Sequence, residues 1–332
     1  MKKNWLLLLV TSVLVFALAA CQQTDPKQSY TTAIKKMVDS KTYDFSTDID
    51  INIDTSNLTD VSKEVAEVFN NADLTVDFKA NKDTKQSEFV FKGKFSYRNL
   101  AMNFNVPVYM DENKKRGYIK LDSLIENFGI ILGPSTVQRL ESVKGKYLEF
   151  PLEKADYRSQ DTEKVKRLFL KSLEMFADDF PQDKFKEEDL TDKEKQQGTE
   201  QKVTLSFSDK EIKDAYTHFA KQIGKELNHP FKESDLNDLQ QELTDVKFKK
   251  FDMTTSINKE KSLRYLTTDV SIGVDHKDFQ GDFNIKFSTT YNSLDRKVKF
   301  DYKPEEDQIV TMDELEGLVD QSGREEINGF TK

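Results

Sequence analysis

The sequence predicts an α+β fold built on one large, curved, antiparallel β-sheet. Three observations predict it. Strand patterns come in runs instead of alternating with helices, which argues against parallel βαβ units. The segment 279–291 alternates over 13 residues, with Phe279, Gly281, Phe283, Ile285, Phe287, Thr289 and Tyr291 set against polar neighbours. At ~3.3 Å per residue that strand is about 43 Å long, well beyond the usual five or six residues. The connections Asn81–Thr84, Asn113–Gly117 and Asn258–Lys261 are short and polar, as hairpin turns are. Strict alternation means one wet face and one buried face, hence antiparallel pairing. A large one-sided sheet twists and must curl around something apolar.

The elements follow in order. Tyr30, Ala33, Ile34, Met37 and Val38 recur at helical spacing. Phe45, Thr47, Ile49, Ile51 and Ile53 alternate as a strand, and 58–70 reads as a helix carrying Val61, Val65, Val68 and Phe69. Three more strands run through Leu74–Ala80, Phe89–Tyr97 and Leu100–Val108, then two shorter ones at Tyr118–Leu121 and Tyr147–Phe150. Between those two, Phe128–Leu132 is apolar without a clear period, and is either a gate or membrane-touching loop or a buried connector. Val165, Leu168, Phe169, Leu173 and Phe176 make a helical stripe. Residues 182–201 are almost all polar and read as a solvated loop.

A strand through Val203, Leu205 and Phe207 leads into Ser208–Glu211, a capping-box pattern that starts a helix carrying Ile212, Tyr216, Phe219 and Ile223. A short helix at 236–243 follows. The alternation then changes phase between Phe248 and Phe251, which predicts a β-bulge near Lys249 and Lys250. Strands at Leu266–Val274 and 279–291 come next, and Val298, Phe300 and Tyr302 read as a closing strand. Thr311–Glu314 is a second capping box.

Composition narrows the function. The 332 residues carry a net charge of −9, with 33% charged residues, 24 Phe and a single Cys. A general nucleic-acid binder needs the opposite sign. One Cys excludes an intrachain disulfide and a Cys-rich metal site. No G-x-S-x-G, H-E-x-x-H, P-loop or G-x-G-x-x-G occurs, so no enzyme activity and no cofactor is expected. His218, His229 and His276 read as solvated residues, Asp275, Asp278 and Asp282 as turn chemistry, and Lys247, Lys249 and Lys250 as a weak basic patch.

The N-terminus carries an address. Lys2 and Lys3 precede an apolar stretch from Trp5 to Ala17, too short for a good transmembrane span, and Leu18-Ala19-Ala20-Cys21 ends it. That ending resembles the lipobox of bacterial lipoproteins. The resemblance implies cleavage between Ala20 and Cys21 and a diacylglyceryl group on Cys21. Two acyl chains suffice for stable membrane anchoring. The expected location is therefore the extracytoplasmic face of a bacterial cell membrane. The expected organisation is a signal peptide (1–20), a lipidated tether (21–28), a single curved-sheet domain (29–303, with a pseudo-repeat of 30–150 and 203–303) and a C-terminal helix and tail (304–332). The mature chain would keep 312 residues, with charge −11 and no Trp, since Trp5 is discarded.

A lipobox, a short helix, an antiparallel meander, a helical insertion and a second meander together resemble the LolA/LppX-like bacterial lipoproteins, across roughly 29–303. The resemblance implies an unclosed half-barrel with helices over its concave face, binding lipids or lipid-modified proteins there. Met102, Phe104, Phe176, Phe219, Phe283, Phe287 and Tyr291 are the candidates to line that concavity, because such sites are mainly apolar. The expectation is a non-catalytic module for a lipophilic molecule or a hydrophobic or lipidated protein. The alternative is a structural or interaction lipoprotein of the cell envelope with a fully packed core.

Overall fold

The computed structural model describes residues 25–56, 60–97, 100–152, 180–226, 232–276 and 279–318. Helix α1 (Pro26–Asp39) starts a turn before its apolar stripe. Pro26 presets the first-turn φ, and the Asp25 carboxylate accepts from the Lys27 backbone N–H at 2.9 Å. Residues 26–28 of the expected tether are therefore helical. Strand β1 (Thr42–Ile53), α2 (Asp60–Asn70), β2 (Asp73–Asn81), β3 (Gln86–Tyr97) and β4 (Leu100–Asp111) follow. Then come β5 (Arg116–Lys120), α3 (Leu121–Leu132), α4 (Pro134–Leu140) and β6 (Tyr147–Pro151). Phe128–Leu132 thus forms the end of a helix.

The second half contains β7 (Phe185–Glu188), α5 (Asp192–Gln196), β8 (Thr199–Ser206), α6 (Asp209–Glu226) and α7 (Glu233–Glu242). Long strands β9 (Val246–Asn258), β10 (Leu263–His276) and β11 (Phe279–Leu294) and the two-residue β12 (Ile309–Val310) complete it. The bulge predicted at Lys249 is present as a register shift opposite Ser271 and Ile272. The helical stripe that includes Phe176 lies outside the described residues.

Both meanders belong to one 12-stranded sheet, ordered β12-β6-β5-β4-β3-β2-β1-β11-β10-β9-β8-β7. Every pair is antiparallel except β12–β6. The terminal strands β12 and β7 do not pair, so the sheet is open and curved. The halves join where β1 meets β11, with Ile49 opposite Phe287.

Register puts the apolar residues on one face throughout. Val310, Leu148, Ile119, Val108, Phe89, Phe78, Phe45 and Tyr291 follow one another across successive strands. Their rings touch: Phe45–Phe78 at 5.0 Å, Phe78–Phe89 at 4.6 Å and Phe45–Tyr291 at 5.7 Å between centroids. Helices cover the two ends of this face. Tyr30, Ala33 and Ile34 of α1 pack with Phe185, Val203, Leu205, Ile257 and Leu263. Leu121 and Ile125 of α3, with Leu140 and Val143, pack with Leu148 and Val310.

Two expectations are corrected. Residues 182–201, expected as a solvated excursion or loop, are mostly exposed but contain edge strand β7, the helix α5 and the start of β8. Only Phe185 of β7 is buried, while Lys186, Glu187 and Glu188 are exposed, so the four residues show no alternation to read. Charge on such an edge strand blocks pairing with other chains. The closing strand expected at 298–302 is not one. Strand β11 already has β10 and β1 as neighbours, so no edge is left for it. The segment 295–308 instead crosses the polar face as a strap towards β12. Phe300 and Tyr302 pack there on Tyr109, Tyr118 and Tyr147. Beneath the strap the Glu88 carboxylate accepts from the Tyr302 backbone N–H at 2.7 Å, and Lys79 pairs with Asp301.

Candidate functional site: the bare centre of the apolar face

Between its two covered ends the apolar face is only partly shielded. Phe91 on β3 is 42% exposed and Phe287 on β11 is 38% exposed. Phe91 stands opposite Val76, which stands opposite Thr47; Phe287 stands opposite Ile49, which stands opposite Leu74. Three strand spacings separate the two phenylalanines, about 14 Å at ~4.8 Å each. The side chains between them, Ile49, Leu74 and Val76, are half-buried. Scattered exposed apolar groups are normal on any protein. Here they stand on one continuous apolar face.

Helix α2 borders this region, packing against β1 and β3. It is tied down by Asn70, whose side chain accepts from the Ile53 N–H at 2.6 Å and donates to the Ile53 carbonyl at 2.9 Å. Its Val65 and Phe69 are 53% and 41% exposed. Thr47 and Thr289 hydrogen-bond each other at 2.9 Å on the face, which satisfies both hydroxyls there.

Of the residues expected to line a concavity, Met102, Phe104, Phe283 and Phe287 lie on this face. Met102, Phe104 and Phe283 are half-buried. Tyr291 belongs instead to the core under α1, where its hydroxyl donates to Met37 Sδ at 3.3 Å. Phe219 sits half-buried on α6, and Phe176 falls outside the described residues. Phe91 was missed as a candidate although its alternation was visible. Phe89 and Phe91 share a face, and only burial separates them.

Burial pushes the Tyr30 and Tyr291 phenols well above the ordinary range, so both stay protonated. Among the described residues no group of three or more His, Cys, Asp or Glu is placed to hold a metal. His218 is exposed on α6 beside Gln222. Lys249 pairs with Asp282 at 2.6 Å, and Lys250 pairs with Asp269 at 2.5 Å. Asp275 accepts from Gln280. Cys21 and Ala20 lie outside the described residues. No described helix is long and apolar enough to cross a membrane.

The chain is an α+β protein with an open antiparallel sheet, and among the described residues the centre of its apolar face is only partly covered. No protein-family model matches the sequence, and no curated protein matches it. Among solved structures the chain is similar to the Mycobacterium tuberculosis lipoprotein LppX, at 10% identity and a TM-score of 0.29, over 83% of this chain and 98% of that one. It is also similar to lipovitellin, a structure described for its lipid–protein interactions, at 9% identity and a TM-score of 0.24. That match covers 79% of this chain and 26% of lipovitellin.

Proposed function

We propose that this chain is a lipoprotein anchored through Cys21 on the extracytoplasmic face of a bacterial membrane. It acts as a non-catalytic module that binds a lipophilic molecule, or a hydrophobic or lipidated protein, on the centre of its apolar sheet face. One observation carries the reading: Phe91 and Phe287 are 42% and 38% exposed on the mainly apolar face of the sheet. Covering that surface is favourable by about 25 cal/mol per Å² of apolar area removed from water. The described residues of the site offer apolar area, and that area supports binding.

Native mass spectrometry tests it. The chain is expressed with its N-terminal segment, released by proteolysis within residues 22–24, and kept free of detergent. A discrete added mass that organic solvent extracts is the expected result. A bare polypeptide mass, unchanged after incubation with host lipid extract, favours the alternative of an interaction lipoprotein with protein partners.

A further inference from the structure

We infer that the anchored molecule meets the bilayer with its β7 edge, at the corner formed by Asp25 and Gln182. The inference rests on the anchored reading above and adds the orientation. Asp25 is held in place by three hydrogen bonds. Its carboxylate accepts from the Lys27 backbone N–H at 2.9 Å and from Gln182 Nε2 at 2.8 Å, and its carbonyl accepts from the Ser29 N–H at 2.9 Å. Lys27 Nζ donates to the Phe180 carbonyl at 2.7 Å. The first described residue is therefore fastened to the turn 182–184 that leads into β7.

Helix α1 is itself anchored, with Tyr30, Ala33 and Ile34 in the core and the Tyr30 ring 5.4 Å from that of Phe185 on β7. Only residues 22–24 separate Cys21 from Asp25. Four Cα–Cα steps reach at most about 14 Å at ~3.5 Å each. The thioether-linked glycerol of a diacylated Cys21 lies at the membrane interface, so the Asp25 backbone lies within about that distance of the Cys21 backbone, and Gln182, bonded to the Asp25 carboxylate, is the next residue out from the interface.

Among the described residues β7 is the terminal strand of the sheet. Its exposed Asp183, Lys186, Glu187 and Glu188 sum to −2, so the short link to Cys21, and not charge attraction, sets the orientation. The opposite edge, at β12 and the turn Glu141–Val143, is separated from it by the full width of the sheet.

The test uses the full lipidated chain in vesicles of phosphatidylglycerol and phosphatidylethanolamine. Lipidation consumes the sulfur of Cys21, so Asp183→Cys and Glu141→Cys each introduce a single free thiol, both at exposed positions. Each is labelled with an environment-sensitive fluorophore and quenched with lipid carrying a headgroup nitroxide. The Asp183→Cys label is expected to be quenched at least threefold more strongly than the Glu141→Cys label. Equal quenching, or the reverse order, in a chain that floats with the vesicles overturns the orientation and leaves the anchoring intact. A chain that does not float, and whose mass shows no diacylglyceryl group, overturns both.

Discussion

The Phe104 ring fills the space that a β-carbon on Gly93 would occupy. The two residues are register partners on β4 and β3, and a Cβ on Gly93 would lie 2.0 Å from Phe104 Cε1. Gly117 and Phe150 repeat the arrangement on β5 and β6, with a Cβ 2.2 Å from Phe150 Cζ. In both pairs the aromatic ring covers backbone that a glycine leaves bare.

Gly93→Ala is therefore expected to destabilise the fold by about 1–3 kcal/mol, the usual cost of overpacking. In a Phe104→Ala background the same change is expected to cost much less, since only Leu74 Cδ2 at 3.0 Å still opposes the new β-carbon. Urea unfolding of the two single variants and the double variant measures the coupling. Additive losses would show that the ring does not oppose the new β-carbon.

In a chain that starts at Cys21, which lacks Trp5, Phe91→Trp places the only indole. On binding a brominated phospholipid its emission is expected to shift to the blue and to be quenched. Phe287→Asp is expected to weaken that binding about tenfold or more, since it costs at least ~1.4 kcal/mol of apolar contact at the centre of the face. An unquenched, fully solvated indole would remove Phe91 from the site.

Glu88 is 1% exposed beneath the strap, 3.7 Å from Lys79. Burial holds its carboxyl above the ordinary carboxylate range, despite the hydrogen bond from the Tyr302 N–H. A carboxyl raised in the folded state takes up protons more readily there than in the unfolded chain. Its contribution to stability is greatest below the ordinary value and falls as pH rises from that value through the raised one. Glu88→Gln keeps an acceptor for Tyr302 and removes this dependence. The difference in melting temperature between variant and wild type is expected to grow in the variant's favour from pH 4 to 7, read by circular dichroism. A constant difference would show that Glu88 does not titrate in this window.

Glu211 shifts the other way. The hydrogen bond from Lys184 Nζ, then those from the Ser208 N–H and hydroxyl, hold its carboxyl down at about 2. A depressed carboxyl stabilises the fold above the ordinary range, and that stability is lost as pH falls towards 2. Lys184→Ala is expected to raise this pKa, followed by carboxyl-carbon NMR, and Ser208→Ala to cost about 1 kcal/mol as a lost cap. An unchanged titration in Lys184→Ala would mean the pair does not form in solution.

Several of these features were legible in the sequence because the interactions behind them are local. Both the Ser208–Glu211 and the Thr311–Glu314 capping boxes form as written, each within four residues. The phase change around Lys249 marks the bulge because side chains alternate with a period of two. Strand β7 was hidden because only one of its four side chains is buried. The strap was misread because Val298, Phe300 and Tyr302 alternate like a strand. Their partners Tyr109, Tyr118 and Tyr147 lie more than 150 residues away in the chain.

Alternation, set by the backbone's own geometry, is enough to give a long antiparallel sheet one apolar face and one polar face. Which side chains on that face are more exposed follows from long-range packing. Phe89 and Phe91 are two residues apart on the same side of the same strand, and nothing local distinguishes them. Phe89 is sheltered with Phe78 at 4.6 Å beside it, whereas Phe91 stands 42% exposed. Burial depends on which helices and strands arrive from elsewhere in the chain, and that is a property of the assembled sheet.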